Sequence, residues 1–305
     1  MGRCFWLKVY EIPEGDKTSK GRALQNMIQI PPDDKVRAII DVKNFDDEEY
    51  VNNHYIVLCT KQGIINKSRL KDFSRPRLNG INAITIKEGD QLLEAKLTDG
   101  NCEIMMAVKS GRAIRFPEAK VRPTGRGGIG VAGIDVDDAT DEVVGMVCVN
   151  VEDKTKTVLV VSANGYGKRT FLDDPETGEA NYRITNRGGK GVKTISVTAK
   201  TGSLVGLLAV TEAEDLMITC VSGITIRMPV NQISEQGRAT QGVKLIKVDE
   251  GDEIAAITQL DEKEIEEAIL LDESGNPIVA EASADETNTE NTTETEEPAE
   301  PSDKE

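Results

Sequence analysis

The sequence predicts an all-β fold, a propeller-like array of repeated blades over residues 1–260, followed by a disordered acidic tail over residues 261–305. Three observations predict it. A strand–Gly–strand element recurs four times at a spacing near fifty residues. The segments around it alternate apolar and polar residues and are rich in Val and Ile, as half-buried strands are. Helical periodicity is nearly absent from the same stretch. Four short strands in each unit of ~40–50 residues describe a blade. A plain sandwich would not explain the fixed period.

The first recurring element reads "TKQGIINKS", "VKSGRAIRF", "SANGYGKRT" and "CVSGITIRM", with Gly63, Gly111, Gly165 and Gly223 at the turns. Each glycine is followed four residues later by a cation: Lys67, Arg115, Arg169 and Arg227. The second element is a box, Arg-x-x-x-Gly-apolar-x-x-Ile. It reads "RGGIGVAGI" (126–134), "RGGKGVKTI" (187–195) and "RATQGVKLI" (238–246). "RALQNMIQI" (22–30) carries Asn26 in place of the glycine, and "RLNGINAI" (77–84) is one residue shorter. The third element is a charged turn before an apolar strand, as in "GDQLLEAKL", "TDEVVGMVCV" and "GDEIAAITQL". Five copies result, the first starting abruptly, as a fragment of a longer parent would. "DDPETGEANY" in the fourth copy has the Pro, Gly and acids of a surface loop.

Charge separates the two regions. The chain of 305 residues carries 53 acids and 37 bases, a net of −16. Residues 261–305 hold 17 of the acids and 2 of the bases, so residues 1–260 are almost neutral. The tail has too few apolar groups to offset the entropy of ordering it, although "DEKEIEEAILL" at its start suits a short helix. On its tether it would be a local polyanion that competes with other anions for nearby cations.

Several chemistries find no support. The cysteines, Cys4, Cys59, Cys102, Cys148 and Cys220, stand singly, mostly in apolar runs, as reduced thiols of a cytoplasmic protein do. His54 is the one histidine, so neither a zinc site nor a histidine-based nucleophile pair is expected. The N-terminus is no signal peptide, and no apolar run approaches the ~20 residues of a membrane span. "GRGGIG" (125–130) imitates a dinucleotide fingerprint, but strands rather than a helix are expected after it. "TNRGGKG" (185–191) lacks the first glycine and the hydroxyl of a Walker loop. The carboxylate pairs Asp137-Asp138 and Asp173-Asp174 fall in turns, where solvated acids are usual.

What remains is repeated positive charge. In a radial array equivalent positions lie on one rim. The hairpin set, Lys67, Arg115, Arg169 and Arg227, and the box set, Arg22, Arg77, Arg126, Arg187 and Arg238, would then mark successive blades. Lys168, Lys190, Lys193 and Lys244 add charge nearby, and Gly188, Gly189 and Gly191 would bring backbone N–H groups close to phosphates. Such a stripe is a track for a polyanion. Aromatics make up 4% of the chain and none recurs beside the arginines, which favours duplex DNA over stacked single strands. The residues alone leave two other readings open: a structural role, with each arginine paired to a carboxylate on the strands, and a protein-docking propeller.

The segments "GRCFWLKVYEIPEG", "KDFSRPRLNGINAI", "GRAIRFPEAKVRPTGRGGIGVAGI" and "NGYGKRT…RITNRGGKGVKTISVT" resemble the C-terminal domain of bacterial DNA gyrase A across residues 1–260. The resemblance implies a β-pinwheel of about five to six four-stranded blades that wraps duplex DNA on a basic rim. It implies a part in negative supercoiling with the rest of gyrase A and with its partner gyrase B, which holds ATP and Mg. This chain would then be no enzyme by itself and would hold no cofactor or metal. The family's box, Gln-(Arg/Lys)-Arg-Gly-Gly-Lys-Gly, is best matched by residues 185–191, where Thr185 and Asn186 depart from it. The resemblance places the family's own copy upstream of Met1. The related C-terminal domain of topoisomerase IV is the alternative within the family.

Overall fold

A computed structural model describes residues 2–15, 19–31, 34–136 and 140–260. The acidic tail, the short helix expected at its start and Asp137-Asp138 lie outside these residues. Strands in chain order are β1 (Arg3–Cys4), β2 (Tyr55–Thr60), β3 (Ile64–Arg69), β4 (Ile81–Asn82), β5 (Leu92–Thr98) and β6 (Cys102–Val108). They continue with β7 (Arg112–Pro117), β8 (Val131–Ala132), β9 (Val143–Asn150), β10 (Thr157–Ser162), β11 (Tyr166–Phe171) and β12 (Val192–Lys193). The last are β13 (Leu204–Val210), β14 (Asp215–Cys220), β15 (Thr225–Pro229), β16 (Val243–Lys244) and β17 (Ile254–Leu260). One short α-helix, α1 (Glu48–Asn53), precedes β2, and Asp47 caps it by accepting from the Tyr50 N–H.

Among the described residues the strands form four antiparallel blades in a propeller-like arrangement. Blade A is β5-β2-β3-β8, blade B is β9-β6-β7-β12, blade C is β13-β10-β11-β16 and blade D is β17-β14-β15. β1 and β4 make a separate two-stranded sheet. The all-β expectation is met, with four blades where five to six were expected. The physical reason is that each blade is built on one strand–Gly–strand hairpin, and the first copy has none among the described residues; the strands are also exchanged between repeats. The two-residue strands β8, β12 and β16 come from the box of the following repeat, so a repeat does not complete its own blade. Blade D has no fourth strand among the described residues, and the first copy contributes only β1.

Each recurring element has a structural task. In the hairpins β2-β3, β6-β7, β10-β11 and β14-β15 the turn glycine has φ between +80° and +91°, a region that other residues enter at a cost. At Gly111 the carbonyl of Ile195 also passes so close that a Cβ would lie 2.8 Å from it. The charged turns cap the hairpins: Asp90 accepts from the Gln62 N–H, Asp141 from Ser110 and Asp252 from Ser222, all at 3.0–3.1 Å. The apolar faces meet between successive blades. Val57, Cys59 and Ile65 of blade A pack with Ile104, Met106 and Ile114 of blade B. Met105, Ala107 and Ala113 of blade B pack with Val158, Val160 and Leu207 of blade C. Leu159 and Val161 of blade C pack with Leu216 and Ile218 of blade D. Each blade is thus completed by its neighbours, as in other repeat architectures.

Candidate nucleic-acid interface

Three of the four hairpin cations turn inward. Lys67, Arg115 and Arg169 are 3–4% exposed, so they are not on an outer rim. Burying a charge demands a paired one, and each finds it. Lys67 Nζ lies 2.7 Å from Glu118, which is itself fully buried. Arg115 holds Glu103 with Nε at 2.6 Å and grips Asp173 with both terminal nitrogens at 2.6 and 2.9 Å. It also donates to the carbonyls of Leu172 and Tyr182. Arg169 donates to the Ile233 carbonyl and pairs with Glu212 and Glu235. Glu118, Asp173 and Glu235 all belong to the repeat after the cation. The backbone adds a matching bond there: Thr124, Thr185 and Gln236 donate to the carbonyls of Lys67, Arg115 and Arg169. These three cations are therefore latches between repeats, which corrects their expected place in the DNA track. Arg227, in blade D, is exposed and pairs with Asp215 at 2.6 Å across its own hairpin. Lys168 is corrected too, since its side chain is fully buried against the Gly237 carbonyl.

The boxes turn outward and join one another. Gly127 donates to the Ala83 carbonyl and Gly188 to the Gly133 carbonyl. In return, Thr85 donates to Gly128, Asp135 to Gly189 and Ser196 to Thr240. Residues 77–85, 126–135, 187–196 and 238–246 therefore form one continuous ribbon of turns across the blades. Box arginines tighten it: Arg187 donates to the Ala132 carbonyl at 3.1 Å and Arg238 to the Lys193 carbonyl at 3.2 Å. Ala132 and Lys193 end β8 and β12, so each arginine secures the strand that the preceding box gives away.

The ribbon exposes Arg77, Arg126, Lys190, Lys193 and Lys244, while Arg187 and Arg238 are half-buried. Arg22 is exposed as well, in the first box, which no backbone bond joins to the others among the described residues. Of the box glycines, Gly189 is exposed, but the Gly188 N–H is already given to Gly133. Gly191 lies over the Ala113 carbonyl, 2.4 Å from where a Cβ would stand, so its smallness serves strand exchange.

Sequence reasoning missed the acids of the latches, Glu103, Glu118, Glu212 and Glu235. It also missed Lys120, whose carbonyl accepts from Arg187 Nε at 3.1 Å. Asp99, Cys102 and Glu118 bring three ligand-type atoms within 4.8 Å of one another. Glu118 is engaged there by Lys67 and Thr98, and burial pushes the Cys102 thiol up to about 12, which suits a latch better than a metal site.

The chain has clear relatives. A family model described as the DNA gyrase C-terminal domain, beta-propeller, matches residues 2–43, 54–99, 103–150, 156–174, 177–211 and 214–261. The DNA gyrase A protein of Staphylococcus epidermidis is 41% identical over 263 residues, 86% of this chain and 28% of that protein. The DNA gyrase A protein of Staphylococcus aureus is 39% identical over 280 residues, 92% of this chain and 30% of that protein. The chain thus spans under a third of the length of these relatives. A solved C-terminal domain of DNA topoisomerase IV superposes with TM-score 0.75 at 21% identity, over 88% of this chain and 80% of that one. A solved DNA gyrase A C-terminal domain superposes with TM-score 0.69 at 24% identity, over 85% and 80%. These two likenesses bear on the fold. No described helix is long and apolar enough to cross a membrane.

Proposed function

We propose, from the premise that the chain belongs to the DNA gyrase C-terminal domain family, that it binds duplex DNA along the ribbon of box turns and wraps it. In a parent gyrase the wrap would present a DNA segment for strand passage, with ATP hydrolysed by gyrase B. The observation that carries this reading is the ribbon itself. Its turns are bonded in series and each carries at least one exposed cation, so phosphates along a bent backbone meet charge at every turn of the ribbon. The chain alone does no chemistry in this reading; it supplies binding energy that offsets DNA bending, which costs about 1–6 kcal/mol for each bent site of 20–30 bp. The 39–41% identity to gyrase A favours this role over that of the topoisomerase IV domain. The test is to relax circular DNA in the presence of the chain and read the trapped linking difference. A shift that grows with protein is expected, and no shift rejects wrapping by this chain.

A further inference from the structure

Two adjoining turns of the ribbon carry an apolar side chain at the tip. Leu78 is 78% exposed and Ile129 is 47% exposed. Both are pinned in place by backbone bonds. Residues 77–80 close a tight turn in which the Gly80 N–H donates to the Arg77 carbonyl at 2.8 Å. Arg3 braces that turn by donating to the carbonyls of Asn79 and Gly80. Ile129 stands between two anchored glycines. The Gly128 carbonyl accepts from the Thr85 N–H at 3.1 Å and from Asn66 Nδ2 at 3.2 Å. Gly130, at φ +92°, lies so close over the Ile65 carbonyl that a Cβ would stand 2.5 Å from it. The two turns are joined by the bond from Gly127 to Ala83. The fold asks for no apolar group at either tip. Counted back from the box glycine, the place of Leu78 is held by Gly189 and Thr240 in the last two boxes, and that of Ile129 by Lys190 and Gln241, all exposed. A lone exposed leucine would need no explanation. Two apolar tips held on neighbouring turns, with exposed Arg77 and Arg126 beside them, form an arrangement.

We propose that Leu78 and Ile129 are wedges that enter base-pair steps of the bound duplex from the minor groove and kink it there. The inference rests on the DNA-binding reading above and adds to it a contact with the bases. The apolar surface of a duplex is the faces of its bases, which stacking covers. A side chain that replaces part of a stack buries its own apolar surface, and the duplex bends away from it; leucine and isoleucine are among the residues that do this. The bonds that pin both tips have already met the cost of ordering them. Steps that unstack readily, TA above all, are kinked at the least cost. The ribbon therefore has two sectors. Residues 77–85 and 126–135 kink the duplex, while residues 187–196 and 238–246, with Lys190 and Gln241 at the tip, let it bend smoothly. A sequence preference follows although no base edge is read.

The test uses the full chain and two duplexes of about 30 bp, one with TA steps at its centre and one with a stiff A-tract in the same place. 2-Aminopurine replaces the adenine of a TA step and reports unstacking by its fluorescence. Wild type should raise that fluorescence and bind the TA duplex about tenfold more tightly than the A-tract duplex. The double variant Leu78→Thr, Ile129→Gln takes the residues that the last box carries in these places, so the turns tolerate them. It should lose both the fluorescence rise and the preference, and keep the salt slope of wild type. The single variant Ile129→Lys, after the fourth box, should bind both duplexes more tightly and narrow the preference. An undiminished preference and fluorescence rise in the double variant would overturn the wedges. A preference in wild type without any fluorescence rise would mean smooth bending and overturn insertion. Duplex binding by wild type that ignores salt would overturn the DNA reading itself.

Discussion

Replacing Arg115 with Met should lower stability and leave DNA binding nearly intact. The magnitude follows from its surroundings. Its guanidinium makes charged bonds to Glu103 and Asp173 and neutral ones to the carbonyls of Leu172 and Tyr182. Removing one partner of a buried pair costs about 3–5 kcal/mol, chiefly because the other charge is left unpaired. Here the two acids differ: Asp173 is 27% exposed and can rehydrate, while Glu103 is 11% exposed and cannot. The loss should therefore sit near the lower end, about 3 kcal/mol, which is about 6–12 °C in Tm for a domain of this size. Unfolding followed by circular dichroism measures it, and anisotropy against salt measures binding in the same sample. The pH dependence has a fixed sign. Arg115 holds the Asp173 carboxyl below the usual carboxylate range by hydrogen bonding, so this stabilisation is present above the unfolded value near 4 and lost as pH falls through the lower folded value. The gap between wild type and variant should narrow below pH ~4. A variant with wild-type stability and a flattened salt slope would refute the latch and restore Arg115 to the DNA track.

The remaining expectations are shorter. Arg77→Ala with Arg126→Ala, both on exposed ribbon turns, should weaken duplex binding on every sequence and reduce the slope of log K against log salt by about 0.9 for each lost phosphate contact. Their stability should stay within about 0.5 kcal/mol of wild type in denaturant titrations. Deleting the segment after Asp285 should strengthen duplex binding most at low salt, since a tethered polyanion competes at high effective concentration; unchanged affinity at low salt would rule out that competition. Amides on the outer edge of β15 should exchange with solvent faster than those of β3, β7 and β11, whose outer edges carry a fourth strand, as hydrogen exchange read by mass spectrometry would reveal.

Much of the blade plan was legible in the sequence because it rests on local requirements. A hairpin turn at φ of +80° or more needs glycine, so Gly63, Gly111, Gly165 and Gly223 declare themselves by their residue type and spacing. The two cation sets were not separable on the same grounds. Arg115 and Arg126 look alike as basic residues near glycines, and the partners that bury Arg115 stand at Glu103 and Asp173, far apart in the chain. Strand exchange was hidden for a different reason. β8, β12 and β16 are two residues long, too short for alternation to be read, and their destination depends on a blade whose hairpin lies one repeat back.

Blade D separates what a hairpin does by itself from what the following repeat does to it. Its hairpin has the same glycine and the same cation four residues later, but no following box is bonded to it among the described residues. A Cβ at Gly223 would meet nothing within 4 Å, whereas one at Gly63, Gly111 or Gly165 would strike an isoleucine carbonyl of the next box. Arg227 keeps 39% of its side chain exposed where Arg115 and Arg169 keep 3–4%. Ile224 and Ile226 are exposed at 50% and 38%, whereas their counterparts Ile64 and Asn66 are covered, Ile64 by β8 and Asn66 by Gly128 of the same box. The motif is therefore not sufficient to bury its cation; the next repeat does so, by bringing an acid and a strand together. The same contact that withdraws Lys67, Arg115 and Arg169 from solvent accompanies the bonding of the box turns in series, so latch and ribbon are two faces of one junction between repeats.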